Sequence, residues 1–335
     1  MDTIDFDNLN FTAYNLNFIN STDTFDLSQL KLNAIDVDYD LTSSSNIMEN
    51  LNCELGLTIK KLYSKSLKVD ELTYDIKVEK GTYKIRPINS QFFNQKGEGL
   101  YVLKPFAEKP IFDIKYKVLG FDVAKLFHTF MEDTVLTGKM DLDLAFTFAG
   151  NDWKEIKQTL DGRLLINGKD LTLYGIDLDK VIDRFKRSQH FTFVDVGAVL
   201  LMGPAGILVT KGSDIASMIV LNHGESCHVV ELSSDWEVDD GMVNLVDVAF
   251  TTNENRLAAR GGISLITDRL NIDIALLNEK GCSLYSQSIT GDLHEPDMGK
   301  VKVMKSLLAP VTNLVKVECD VFYNGKVKQP TIILN

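Results

Sequence analysis

The chain has 335 residues, 44% of them apolar and 24% charged, proportions that suit one or two packed domains and exclude a disordered chain. Lys plus Arg number 35 against 47 for Asp plus Glu, a formal net charge of −12. That balance speaks against a nucleic-acid binder, because phosphate backbones are held by clustered cations.

The first fifty residues hold eight Asp with Glu49 and a single Lys31, and so carry −8 of the total. No stretch of about 18 uncharged apolar residues is present, which excludes a conventional membrane-spanning helix within these residues. Met1 to Asn20 lacks the basic start of a signal peptide.

In chain order, the dominant pattern is a period of two, the signature of strands with one face away from water. Leu30, Leu32 and Ala34 share one parity while Ile35, Val37, Tyr39 and Leu41 take the other, a switch that needs a bulge or a break. Clean alternation follows at Leu51, Cys53, Leu55, Leu57 and Ile59, then at Leu72, Tyr74, Ile76 and Val78. It resumes at Phe112, Ile114, Tyr116 and Val118, and at Met140, Leu142, Leu144, Phe146 and Phe148. Later strands are predicted through Val230, Leu232 and Trp236; Val246, Val248 and Phe250; Ile272, Ile274 and Leu276; and Val317, Cys319, Val321 and Tyr323.

Helical spacing is the exception. Val123, Leu126, Phe127, Phe130 and Met131 define one short helix face, Trp153, Ile156 and Leu160 a second, and Leu178, Val181, Ile182 and Phe185 a third. Asp214 to Leu221 and Val301 to Val317 are weaker candidates, the last interrupted by Pro310. GFDVAKLF at Gly120 to Phe127 is echoed by GIDLDKVI at Gly175 to Ile182, and the Asp of each copy is placed to cap a helix that follows a strand.

Motifs for catalysis or metal binding fail when counted. Asp36, Asp38 and Asp40 resemble the start of a calcium loop, but Leu41 stands where Gly is needed and Ile47 where Glu is needed; a solvated strand face explains them. Gly162 and Gly168-Lys169 miss the phosphate-loop spacing. His223, Cys227 and His228 have no matching second pair for a metal, and neither a GxSxG elbow nor a GxGxxG turn occurs. No catalytic residue, metal site or cofactor is therefore expected, and a hydrolase built on scattered carboxylates ranks last.

Cys53, Cys227, Cys282 and Cys319 fit either buried thiols or one or two disulfides; in an oxidising compartment Cys282 with Cys319 is the favoured pair. From Val196 to Val209 the chain reads VGAVLLMGPAGILV, uncharged throughout. As a helix it would reach only about 21 Å against a hydrocarbon core of about 30 Å, so it does not span. A buried helix and turn is the favoured reading, and contact with a membrane surface the alternative.

The run FVDVGAVLLMGPAGILVTKGSDIASM, preceded by DGRLLINGKDLTLYGIDLDKVI, resembles the C-terminal region of the AsmA-like family of bacterial envelope proteins. DGMVNLVDVAFTTNENRLAARGGISL, EKGCSLYSQSITGDLHEPDM and CDVFYNGKVKQP add to the resemblance, which covers about residues 50 to 335 and leaves the first fifty without a match. It implies relatedness to TamB and to bridge-like lipid transfer proteins. It also implies a periplasmic location and an inner-membrane tether by an N-terminal helix absent from this chain; a fragment of a longer protein is the favoured reading and a soluble module the alternative.

Strands with one apolar face must bury it against a second sheet, helices or a non-protein guest. Helices are too few, and periodicity alone leaves a closed sandwich and an open trough undecided. The resemblance favours the trough: a mainly β protein with a few short helices, whose elongated, curled antiparallel sheet forms an apolar groove. The expected regions are acidic strands at 1–50, a groove at 51–160 and the AsmA-like C-terminal region at 161–335.

The expected function is non-enzymatic binding or transfer of phospholipid between inner and outer membranes in support of outer-membrane assembly. The alternative is an assembly factor that holds an outer-membrane protein at a sheet edge. Groove candidates are Leu55, Leu57, Ile114, Tyr116, Leu142, Leu144 and Phe146, and headgroup candidates Arg184, Lys186, Arg187 and Lys211.

Overall fold

The computed structural model describes residues 3–19, 24–40, 49, 51–63, 68–92, 95–128, 135–175, 177–180, 182–183, 225–293, 295–303, 319 and 321–330. The expected helix at Asp214 to Leu221, the Val196 to Val209 run and the four headgroup candidates lie outside these residues.

The protein is mainly β. Its strands are β1 (Thr3–Ile19), β2 (Thr24–Asp40), β3 (Leu51–Tyr63), β4 (Lys68–Glu79), β5 (Thr82–Phe92), β6 (Gln95–Lys104), β7 (Ile111–Asp122), β8 (Leu136–Ala149) and β9 (Asp161–Tyr174). They continue as β10 (Ser226–Asp239), β11 (Met242–Thr252), β12 (Arg256–Ser264), β13 (Arg269–Leu277), β14 (Ser283–Asp292), β15 (Pro296–Met298) and β16 (Lys302–Val303). All belong to one antiparallel sheet whose order follows the chain from β1 to β15, with β16 on β14. Among the described strands β1 and β15 do not pair, so the sheet does not close into a barrel. Short helices α1 (Val123–His128) and α2 (Trp153–Gln158) interrupt it.

The chain divides into two compact units, one of Met1–Phe121 with Leu142–Gly162, the other of Asp122–Asp141 with Arg163–Asn335. The first unit is a meander. Although composition sets the first fifty residues apart, β1 and β2 pair onto β3 within the same unit. The parity switch in β2 is met by a register shift against β3 between Ile35 and Asp38, the one-residue slip that moves the following residues to the other face. Asp36, Asp38 and Asp40 stand in this strand, not in a loop.

Helix α2 starts on a capping box: Asp152 Oδ1 accepts the Glu155 N–H at 2.8 Å and Glu155 Oε2 accepts the Asn151 N–H at 3.0 Å. It buries none of its residues, and Trp153 is 63% exposed. Its periodicity therefore predicted a packed face that the unit does not use.

The second unit is a closed core. On one face of β10–β14 the registered positions Leu232, Phe250, Leu257 and Leu276 are buried in a row. On the other, Ala249, Ala258 and Ala275 line up and are fully buried beneath Tyr323 and Val327 of a C-terminal strap, with Phe322 beside them. Small side chains let the strap lie close, so the sheet is dry on both faces along these rows.

Val246 breaks the predicted alternation in β11: the pairing jumps between Asp235↔Asp247 and Trp236↔Leu245, leaving Val246 bulged out and half exposed. Val301 to Val317 was predicted helical, but Lys302 and Val303 pair in extended form with Ser286 and Tyr285; the rest of that helix lies outside the described residues.

The internal repeat is a repeated turn and cap. Gly120 and Gly175 both take positive φ, 63° and 88°, the left-handed conformation that glycine adopts without a Cβ clash. Two residues on, Asp122 accepts the Ala124 N–H and Asp177 the Lys180 N–H, each at 3.1 Å.

Candidate functional site

The register of the first unit sorts its side chains into two unlike faces, since directly opposed residues in an antiparallel sheet point the same way. One row runs Ala34–Leu55–Ile76–Ile85–Tyr101–Ile114. A second runs Phe11–Leu32–Leu57–Tyr74–Pro87 and a third Cys53–Val78–Tyr83–Leu103–Phe112. The β8 residues join this face through Phe148, stacked on Phe112 with ring centroids 4.9 Å apart. Leu142, Leu144 and Phe146 share the parity of Phe148, and Asp143, of the other parity, meets Lys117 on the polar side. All seven groove candidates thus fall on one apolar face.

The opposite face is charged. Glu54, Lys77 and Lys84 stand in register, as do Asp75 and Arg86, and Glu79 is bridged by Lys77 at 2.8 Å and Lys84 at 3.2 Å. These exposed pairs hold Glu79 below the usual carboxylate range, through hydrogen bonds from Lys77 and Lys84.

The apolar face is not sealed in the manner of the second unit. Leu55, Leu57, Ile114, Leu142, Leu144 and Phe146 are each half-buried, and Phe11 is 52% exposed. Only scattered members of the rows, such as Ala34, Cys53 and Val78, are buried. All the unit's strands belong to one sheet, and none of the residues of its helix α2 is buried.

Tyr116 differs from the other candidates in being buried. A Cβ built on Gly97 would strike its hydroxyl and ring, so the tyrosine occupies a notch that the glycines of strand β6 leave open. Tyr101 packs beside it at 6.5 Å between centroids. Burial, reinforced by Tyr74 and Tyr116, pushes the Tyr101 hydroxyl well above its ordinary value, and burial also raises Tyr74. These hydroxyls therefore stay neutral on an oily surface. Gly97→Val is expected to eject the Tyr116 ring and destabilise the chain by about 1–3 kcal/mol in urea denaturation, with Tyr116→Ala restoring part of the loss in the double variant.

The sequence reading missed Ile85, Tyr101 and Leu103, because Pro87 and the glycines at 97 and 99 interrupt the alternation of β5 and β6. Cys227 is buried, which pushes its thiol up to about 12, while His228 points instead to Asn253 Oδ1 at 3.0 Å. Cys282 is disulfide-bonded to Cys319, with Cα atoms 5.9 Å apart.

A family model described as the AsmA family matches residues 7–196 of the chain. The chain belongs to the AsmA family. The AsmA match takes in the acidic first strands, to which the sequence reading assigned no resemblance, and spans nearly all of the two-faced unit. It ends before the stretches beyond residue 225 that carried much of the resemblance. No curated protein and no solved structure matches the chain.

Proposed function

We propose that this AsmA-family chain binds phospholipid by laying acyl chains along the apolar face of β2–β8, and that it passes lipid between the inner and outer membranes without a covalent step. The observation that carries this reading is the contrast between units: the second buries its aligned apolar rows on both sheet faces, while the first leaves registered apolar rows half-buried beside a charged reverse face. An extended apolar surface on a soluble domain marks an interaction site. Each methylene taken from water contributes about 0.8 kcal/mol, so a few contacts hold a tail reversibly. The disulfide supports work in an oxidising compartment, here the periplasm. An N-terminal helical tether to the inner membrane belongs to the same reading.

The test is native mass spectrometry of the purified chain with lipid extraction. Leu144→Glu with Phe146→Glu is expected to abolish co-purified phospholipid while leaving the circular dichroism spectrum unchanged. Retention of lipid by that variant would remove the apolar face from the mechanism.

A second reading has its own observation. The outer edge of β1 is unpaired among the described strands, and its seventeen residues contain neither Lys nor Pro and, as charged residues, only Asp5 and Asp7, which leaves most of the edge without the residues that usually guard against added strands. An envelope-protein strand could pair there; delipidated protein that still captures a defined outer-membrane protein would favour this role.

A further inference from the structure

We infer that a depression of about 290 Å³ in the second unit, floored by β12–β14 and β16, is a binding site for a phosphate oxyanion. It is lined by Arg260, Asp273, Ser283, Ser286, Lys302 and Phe322, with Val303 at its edge. Register brings these groups to one face. Ser286 pairs with Lys302 and, on its other side, with Ala275, while Arg260 stands opposite Asp273.

One cation here has no acidic partner among the described residues, and the other is only loosely paired. Lys302 meets no acid among the described residues, and the Nε of Arg260 lies 3.7 Å from Asp273 Oδ2, beyond hydrogen-bond distance. In the first unit's charged depression, by contrast, Lys77 and Lys84 are both spent on Glu79.

The Arg260 guanidinium is also held in place. It lies 4.3 Å over the Phe322 ring, and Phe322 is fixed by its N–H to the Gly281 carbonyl at 2.9 Å and by the nearby disulfide at Cys319. Asp273 is turned partly aside, its Oδ1 accepting from Ser288 at 2.6 Å. Two cations and one carboxylate leave one positive charge, which matches the single charge of a phosphodiester. The hydroxyls of Ser283 and Ser286 supply neutral donors. A chain of net charge −12 repels anions in general, so binding here requires such a local arrangement.

Phosphodiester and free phosphate share this chemistry, and the test separates them. The intact chain is titrated with glycerophosphoglycerol and with inorganic phosphate, followed by phosphorus NMR. Lys302→Met, a change at an exposed position, is expected to weaken binding at least threefold, and with Arg260→Met at least tenfold, with the thermal midpoint of the Lys302 variant unchanged. Tighter binding of the diester points to a lipid headgroup, and tighter binding of inorganic phosphate to a soluble ligand; both satisfy the inference. Binding of neither, or equal binding by parent and Lys302→Met, overturns it. The Leu144→Glu, Phe146→Glu variant should bind the soluble diester as the parent does, so this site and the apolar face fail independently.

Discussion

Removing the Cys282–Cys319 disulfide, by reduction or by changing both residues to Ala, is expected to destabilise the second unit by about 4 kcal/mol in urea denaturation. The figure follows from the loop-closure entropy that a cross-link removes from the unfolded chain, here across a sequence separation of 37 residues. The strap that follows Cys319 covers the aligned alanines at 249, 258 and 275, so its release would also wet that face. It keeps other anchors. The Tyr323 hydroxyl donates to buried Asp247, whose second oxygen accepts the Lys326 N–H at 3.2 Å, and Arg256 donates to the Val327 carbonyl at 3.3 Å.

These anchors give the reduced protein a pH signature. Burial, aided by the hydrogen bond to Asp247, raises the Tyr323 hydroxyl above its ordinary value. A raised group stabilises the fold fully below its unfolded value, and that contribution is lost as pH rises through the folded one. The reduced chain should therefore lose further stability above about pH 10, and Tyr323→Phe should remove that alkaline step. An unfolding midpoint indifferent to reductant would show that the strap is held by its polar anchors alone.

Much of this architecture was written in parity. Strands β3, β4, β7 and β8 announce themselves because each alternates without interruption, and the switch between Ala34 and Ile35 forecasts the bulge that the register shows. What parity cannot encode is the identity of the layer that covers an apolar face. Leu55 in the first unit and Leu257 in the second obey the same rule, yet one is half-buried and the other fully buried. On the reverse face of the second unit the covered row is Ala249, Ala258 and Ala275, too small to mark an apolar face, and the cover is a short strap distant in sequence. Trp153 misled for the converse reason: a helical stripe was present, but no partner surface met it. The convergence of Arg260 and Lys302 on one depression arises from strand register carried from β12 through β13 and β14 to β16, which no local motif reports.

Arg163→Met is expected to be the other large loss, about 3 kcal/mol in the same denaturation assay, because it strands a carboxylate. Asp235 is 1% exposed, and Arg163 meets it through two near-parallel bonds, Nε to Oδ1 at 2.7 Å and Nη2 to Oδ2 at 2.5 Å. Breaking a buried pair by removing one partner typically costs about 3–5 kcal/mol; the guanidinium is half exposed, which places this site at the low end. The neighbourhood adds to the effect. Asp235 lies directly opposite Asp247 in the ladder, and Asp247 is itself buried, so loss of the arginine leaves two carboxylates facing one another across β10 and β11. Adding Asp235→Asn to Arg163→Met should recover most of the loss, since an amide needs no counter-charge. If the double variant instead shows the sum of the two single losses, the pair does not act as a unit and the arginine stabilises the strand only by packing.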